Sequence, residues 1–197
     1  ICPVSVYCTW EDAKDAPEKA EELAKKANLH IVVKDDTSLD NLPQDVEYTF
    51  LVTSEQEYEA ALDSEKKYSL ERMNIVPVYT GSNLTFFEEC LYMDEEVMQE
   101  VVLDKREVFI RQKLNIHDFG QLTVMTDGEV YANVNHEAIG HIGDTPQAIV
   151  YREITEGCSW LRVRNQQPCC DCIYQWLCPS PSNYEIAIGK HNLCHVK

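Results

Sequence analysis

The stretch HIVVK (His30–Lys34) is a short and almost continuous apolar run, and three similar runs accompany it. They are PVSVYC at residues 3–8, VEYTFLVT at residues 46–53 and NIVPVYT at residues 74–80. Short runs rich in β-branched residues, without polar alternation, are typical of strands that are buried on both faces of a sheet. We therefore expect four strands, and the segments between them decide how those strands are connected.

The first connecting segment has the pattern of a helix. Pro17 suits the first helical turn, because the missing N–H of proline is not needed there. The spacing of the alanines and leucine that follow places them on one stripe, as in a helix that packs against a sheet. That stripe consists of Ala20, Leu23, Ala24 and Ala27.

Two further helices are expected after the third and fourth runs. The segment Ser54-Glu-Gln-Glu57 has the pattern of a capping box, and LTFFEECLYM follows the fourth run. Strand and helix thus alternate through residues 3–103, which predicts parallel strands joined by helical crossovers. Four such units are too few for a closed eight-stranded barrel. The fold class is therefore α/β, with either a partial (β/α) barrel or an open parallel sheet.

Ligands of parallel sheets bind beyond the carboxyl ends of the strands. We expect a substrate-binding site there, although polar residues also occupy strand ends simply to cap them. The candidate residues are Lys34, Asp35, Thr53 and Tyr79.

The pattern changes after residue 118. The stretch GQLTVMTDGEVYANV, residues 120–134, alternates apolar and polar residues around Asp127-Gly128, which is a two-residue hairpin signal. We expect the following segment, with Gly140, Gly143 and Pro146, to be loop. The sequence thus predicts a βα part over residues 1–118 and a smaller, cysteine-rich module over residues 119–197.

Cysteines crowd the end of this module. The chain has nine, an odd number, and five of them lie in the last 29 residues. A secreted disulfide framework is more evenly spread and has an even count. The spacing Cys169-x2-Cys172-x5-Cys178, with Cys194 further on, offers four thiolates to one centre. Thiolate ligation suits zinc or an iron–sulfur cluster, and the spacing alone leaves both open.

The neighbouring cysteines and histidines are weaker candidates. Cys170 is the spare thiol, because the one-residue gap to Cys172 strains chelation of a single centre. Cys158 is a possible further ligand, and His195 could replace the sulfur of Cys194.

The module resembles the SPASM region that ends many radical SAM enzymes acting on peptides and proteins. The likeness rests on the hairpin from Gly128 to Asn133, the loop glycines, the SWLR segment and the C-x2-C-x5-C spacing. The stretch CIYQWLCPSPSNYE resembles a subgroup described as pseudo-radical-SAM proteins of Bacteroidales peptide-modification systems.

This resemblance implies a 4Fe-4S cluster, with zinc as the alternative, held by Cys169, Cys172, Cys178 and Cys194. Two further cysteines of the SPASM pattern fall at Asn133 and Ser182 in this chain. The resemblance therefore implies one centre here and not two.

The catalytic C-x3-C-x2-C motif of radical SAM enzymes does not occur in this sequence. We therefore expect a non-catalytic or accessory protein that binds a precursor peptide or a partner modifying enzyme. The alternative is the C-terminal fragment of an active radical SAM enzyme with one auxiliary cluster. A start at Ile1, without Met, fits a piece of a longer protein.

The formal net charge of −17 argues against general binding of nucleic acid or of a membrane surface. No apolar run approaches the roughly 18 to 20 residues that span a bilayer, and no signal peptide is recognisable. A cytoplasmic location is expected.

Overall fold

The computed structural model describes residues 3–34, 39, 43 and 45–195. The chain divides into two compact units, the first extending to Cys90 and the second beginning at Leu91. Each unit has its own sheet. The division between residues 118 and 119 stays a prediction, and the antiparallel strands of the second unit all follow it in the sequence.

The first unit is built on a parallel sheet of four strands in the order β1-β2-β3-β4. The strands are β1 (Ser5–Thr9), β2 (Asn28–Lys34), β3 (Glu47–Val52) and β4 (Met73–Pro77). The helices are α1 (Trp10–Asp15), α2 (Pro17–Ala24), α3 (Glu55–Tyr68) and α4 (Leu84–Leu91). The predicted α/β class with a parallel sheet is confirmed. The four described strands form an open sheet that does not close into a barrel.

Helices cover one face of this sheet. Alternate residues of β2 and β3 point to that face, where the register aligns Ile31 with Tyr48 and Val33 with Phe50. They pack with buried residues of the helices, among them Trp10 of α1, as one continuous core. Burial of such side chains stabilises each by about 1.5 to 3 kcal/mol.

Burial on both sheet faces was expected of all four runs, and this was wrong for the edge strands β1 and β4, of which β4 has only Pro77 buried. In β1, Tyr7 is 66% exposed, and Val4 just before the strand is 59% exposed. The reason is position, because β1 pairs only with β2 at an edge of the sheet. β3 lies between two strands and has four buried residues out of six.

The capping box predicted at Ser54 is half formed. Ser54 accepts a hydrogen bond from the backbone N–H of Glu57, as expected. The Glu57 carboxylate, however, accepts from the N–H of Thr53, one residue earlier, at 2.6 Å. Ser54 thus satisfies one of the N-terminal N–H donors of this helix.

The second unit combines short helices with a small antiparallel sheet. Its helices are α5 (Glu95–Glu100), α6 (Lys105–Arg111), α7 (Pro146–Thr155) and α8 (Asn183–Ile188), with a 3₁₀ helix at Cys169–Asp171. Its sheet consists of β5 (Thr123–Val124), β6 (Glu129–Tyr131) and β7 (Gly140–His141) in that order.

The predicted hairpin is present, but its loop is longer than two residues. Met125 N–H donates to Glu129 across the closing pair, and Gly128 N–H donates back to Met125. Gly128 has a φ of +88°. This is a three-residue loop, in which the glycine takes the left-handed conformation that other residues avoid. Two parts of the loop expected from Gly140 to Pro146 are regular structure. Gly140 belongs to strand β7, because its backbone pairs with Val130, and Pro146 is the first residue of α7.

A search of the described ranges for a helix long and apolar enough to cross a bilayer finds none.

Candidate functional site

Short turns bring the carboxyl-terminal cysteines of the second unit together. The 3₁₀ helix at Cys169–Asp171 ends in a turn in which Cys172 N–H donates to the carbonyl of Cys169. A second turn follows, in which Cys178 N–H donates to the carbonyl of Tyr174. Cys169, Cys172 and Cys178 thus lie in one short segment that is built from two turns.

The fourth cysteine arrives from a separate part of the chain. Cys194 forms an isolated parallel bridge with Met93, held by hydrogen bonds from Met93 N–H to Leu193 and from His195 N–H to Met93. The ring of His195 packs against Tyr92 with 4.8 Å between centroids.

The thiol of Cys178 is electrostatically coupled to the other three predicted ligands. Its pKa is raised to about 11, mainly by burial and also by the nearby thiols of Cys194, Cys172 and Cys169. Arg164 acts against this shift. The cysteines of the described part of the chain are all free thiols and form no disulfide. The thiols that influence Cys178 are thus the other three that the sequence singled out, and their role as ligands of one centre stays a prediction.

Arg164 is the central cation of this cluster. Its Nη1 lies 3.9 Å from Cys169 Sγ, and its Nε donates to the carbonyl of Pro179 at 2.5 Å. Burial lowers the pKa of Arg164, but Glu185 and the thiols of Cys178 and Cys169 outweigh this effect and raise it. The guanidinium therefore stays charged beside the sulfurs.

The carboxylate that balances Arg164 comes from the first turn of α8. Glu185 Oε1 lies 2.7 Å from Arg164 Nη1, and their side chains are only 3% and 10% exposed. Ser182 is the N-cap residue of the same helix, and its hydroxyl makes no hydrogen bond within the described part of the chain. A buried ion pair of this kind needs its remaining oxygens satisfied, and the Ser182 N–H donates to the second oxygen of Glu185.

Two further side chains contact Cys178 or its loop. The Cys178 thiol donates to Met98 Sδ at 3.2 Å, and Met98 of α5 is fully buried. Arg111 of α6 donates from Nη1 to the carbonyl of Leu177. The loop that carries Cys178 is thus anchored to two helices.

Within residues 3–34, 39, 43 and 45–195, no three or more His, Cys, Asp or Glu side chains are already arranged to hold a metal ion.

The weaker candidate ligands lie in other surroundings. Cys170 is directed to the carboxylate of Asp171 at 3.7 Å. Cys158 is exposed and lines a cleft formed by residues 129–159. Neither is among the thiols that shift the pKa of Cys178.

The positions where the SPASM pattern has cysteines carry hydrogen-bonding residues here. Asn133, 4% exposed, donates from Nδ2 to both oxygens of Asp118 at 3.1 and 3.0 Å. Ser182 is the N-cap of α8. A thiol at position 133 could not replace these hydrogen bonds well, because it is a weak donor and acceptor. Ser182 bonds to Glu185 through its backbone N–H, so this bond does not depend on the side chain at position 182.

The predicted substrate-binding residues lie in the first unit. Lys34 ends β2, Thr53 directly follows β3, and Tyr79 lies two residues after β4, so all three are at the carboxyl ends of strands. The Thr53 hydroxyl already has a hydrogen-bond partner nearby, since it donates to Glu57 at 2.9 Å. Tyr79 packs against Phe87 with 5.5 Å between ring centroids. Asp35 lies outside the described residues.

Sequence reasoning missed the residues that support the cysteine cluster, namely Arg164, Met98 and Arg111. The only available signal for Arg164 was its place in SWLRVR, which contains two arginines in an otherwise acidic chain. Met98 and Arg111 are distant in the sequence, so no local pattern connects them with Cys178.

Comparisons of the chain with family models, with curated proteins and with solved structures find no significant match. The relationship to radical SAM and SPASM proteins therefore stays a prediction from the sequence.

Proposed function

We propose that this chain is a non-catalytic or accessory protein of peptide or protein modification, with a radical SAM-like first part and a SPASM-like module. Its module would bind one metal centre through Cys169, Cys172, Cys178 and Cys194. The observation that carries the proposal is the turn in which Cys172 N–H donates to the carbonyl of Cys169, with the Arg164 guanidinium 3.9 Å from Cys169 Sγ. The influence of Cys169, Cys172 and Cys194 on the pKa of Cys178 supports it. The sequence lacks C-x3-C-x2-C, which favours an accessory role over catalysis.

The residues around the thiols fit a thiolate-bound centre. Four thiolates carry four negative charges, and only part of that charge is cancelled by the metal. Arg164 remains charged beside Cys169 and is held in place by Pro179 and Glu185. A 4Fe-4S cluster would supply one-electron redox chemistry, whereas zinc would fix the loops without it.

The donor set supports one centre and not two. Asn133 and Ser182 take the places of two cysteines, and neither an amide nor a hydroxyl supplies the thiolate that such a centre requires. The Asn133 side chain is engaged with Asp118. The remaining convergent thiols are four in number, which suffices for a single tetrahedral zinc or a single four-iron cluster.

Binding of a precursor peptide or a partner enzyme is proposed for the strand ends of the first unit. Lys34, Thr53 and Tyr79 are the described residues that support this, since ligands of parallel sheets bind at that edge. Asp35 belongs to the proposal from its sequence position alone.

The test is metal analysis of the full chain expressed and purified without oxygen. We expect about one zinc or about four iron atoms per chain, with visible absorbance in the iron case. Cys178→Ser should abolish the stoichiometric metal, while the matched control Cys90→Ser, an exposed cysteine of the first unit, should retain it. Full metal content in Cys178→Ser, or none in the wild type, would contradict the proposal.

A further inference from the structure

A second site is indicated by a cleft that lies within the second unit. Its volume is about 800 Å³, and it is formed by residues between Glu129 and Ser159. Five carboxylates line it, from Glu129, Glu137, Asp144, Glu153 and Glu156, and Arg152 is the only Lys or Arg among its described lining residues.

The single guanidinium is already paired. Arg152 Nη1 lies 2.6 Å from Asp144 Oδ2, and this pairing lowers the pKa of Asp144. The other four carboxylates face the cleft without a cationic partner among the described residues. The cleft is therefore strongly negative, and its low-dielectric wall strengthens that field.

Only one oxygen of the innermost carboxylate has hydrogen-bond partners. Glu153 of α7 is 1% exposed, and its Oε1 accepts hydrogen bonds from Ser159 N–H at 2.9 Å and Trp160 N–H at 2.8 Å. Its Oε2 is buried without a hydrogen-bond partner in the described part of the protein. Burying an acceptor in this way costs about 1 to 3 kcal/mol unless a ligand compensates it.

Gly157 keeps this oxygen against the wall of the cleft. A methyl group on Gly157 would collide with the Glu153 carboxylate, so the two residues fit only because position 157 has no side chain. Both residues line the cleft. The unpartnered oxygen of Glu153 thus lies beside a cleft position that has no side chain.

We propose that this cleft binds a guanidinium group, with Glu153 at its base and Glu137 and Glu156 at its rim. Both rim residues are exposed and belong to different segments, one before β7 and one after α7. A planar guanidinium offers five N–H donors in several directions and is weakly hydrated, so it matches separate carboxylates better than an ammonium does. This site is independent of the cysteine centre.

The test is calorimetric titration of the full chain with Nα-acetyl-arginine amide at low ionic strength. The neutral isostere Nα-acetyl-citrulline amide should bind at least about 10-fold more weakly, since it lacks the charge. Added salt should weaken binding of the arginine analogue, because it screens the charges. Equal binding of the two compounds, or tighter binding of Nα-acetyl-lysine amide, would overturn the proposal.

Variants locate the site. Glu153→Gln should weaken binding at least about 10-fold, and the exposed double variant Glu137→Gln/Glu156→Gln at least about 5-fold without affecting folding. The matched control is Glu100→Gln, an exposed carboxylate of α5 outside the cleft. Binding by the double variant that equals binding by the control would overturn the assignment.

Two further probes identify the source of the group. Tighter binding of acetyl-Ala-Arg-Ala amide than of agmatine supports an arginine side chain of a peptide, and the reverse supports a small free guanidine. Because the cleft variants retain all four cysteines, their metal content separates a failure of this site from a failure of the proposed centre.

Discussion

Arg164 donates from Nη1 towards Cys169 Sγ at 3.9 Å, so a buried cation lies in contact with the first thiol of the cluster. The same nitrogen lies 2.7 Å from Glu185 Oε1. This one guanidinium therefore joins the cysteine loop to the start of α8. Its contribution to stability can be measured in the metal-free protein, apart from any role at the thiols.

Replacing Arg164 with methionine should strongly destabilise the second unit. The change keeps much of the side-chain volume but leaves the Glu185 carboxylate, 3% exposed, without its cation. Breaking a buried pair on one side costs about 3 to 5 kcal/mol. Urea unfolding of the metal-free protein measures the loss.

A double-mutant cycle shows that the loss comes from the pair. The double variant Arg164→Met/Glu185→Met removes both charges, so it should lose clearly less free energy of unfolding than the sum of the single variants. Additivity to within about 0.5 kcal/mol would show that the two side chains act separately.

Asn133→Asp should destabilise the protein more than Asn133→Ala, although aspartate is closer to asparagine in size. The new carboxylate would face Asp118, which now accepts both hydrogen bonds from Asn133 Nδ2. Two buried carboxylates at this distance cannot both be ionised, and we expect a loss of about 3 kcal/mol at pH 7. Urea unfolding of both variants compares them.

The loss in Asn133→Asp should shrink at acid pH, because a proton shared by the pair removes the repulsion. Asn165→Asp is the matched control, since Asn165 is an exposed asparagine of the second unit. A loss in Asn133→Asp that is the same at pH 7 and pH 5 would contradict the electrostatic explanation.

The arrangement around Asn133 shows where sequence reasoning succeeds and where it stops. The four parallel strands and the hairpin were predictable because they depend on local apolar runs and on Asp127-Gly128. The partners of Asn133 were not, because Asp118 and Asn183 are 15 and 50 residues away. Such contacts arise from packing and leave no periodic trace in the sequence.

The cysteine site, too, was predictable from the sequence only in part. C-x2-C-x5-C is a local spacing, so Cys169, Cys172 and Cys178 could be selected from the sequence. Their surroundings depend on Met98 and on Arg164, which reach the loop only through the folded chain.

The short strand β7 was missed because two residues are too few to show any alternation.

His136 should titrate below the ordinary histidine value of 6.5. Burial lowers its pKa, and Arg162 adds to the effect, against the opposing influence of Asp118 and Glu153. Its neutral ring is held by Ser159, with 2.8 Å between Nδ1 and Oγ. An NMR titration of the His136 ring protons in the full chain measures the midpoint.

The direction of the linked stability change follows from this lowered pKa. Above pH 6.5 the ring is neutral in both the folded and the unfolded chain, so its contribution to stability is complete. As the pH falls below 6.5 the unfolded chain takes up the proton first, and stability decreases. His136→Gln should show a smaller decrease between pH 7 and pH 5 in urea unfolding, whereas an equal decrease would exclude His136 as its source.

Gly128→Ala and Gly120→Ala form a matched pair in the second unit. Both glycines have positive φ, +88° and +77°, so alanine pays a similar backbone cost of about 1 to 2 kcal/mol at either position. Only at Gly128 would the new methyl meet a side chain, because its Cβ would lie 2.5 Å from His141 Nε2, whereas no described atom lies within 4 Å at Gly120.

The difference between the two variants therefore measures the contact of Gly128 with the His141 ring. That ring cannot move freely, since its Nδ1 accepts a hydrogen bond from Gly143 N–H at 3.2 Å. We expect Gly128→Ala to lose about 1 kcal/mol more than Gly120→Ala in urea unfolding. Adding His141→Ala to both variants should remove this difference, because the methyl at position 128 then meets no ring. A difference that persists in the His141→Ala background would mean that the hairpin backbone, and not the ring, requires glycine at position 128.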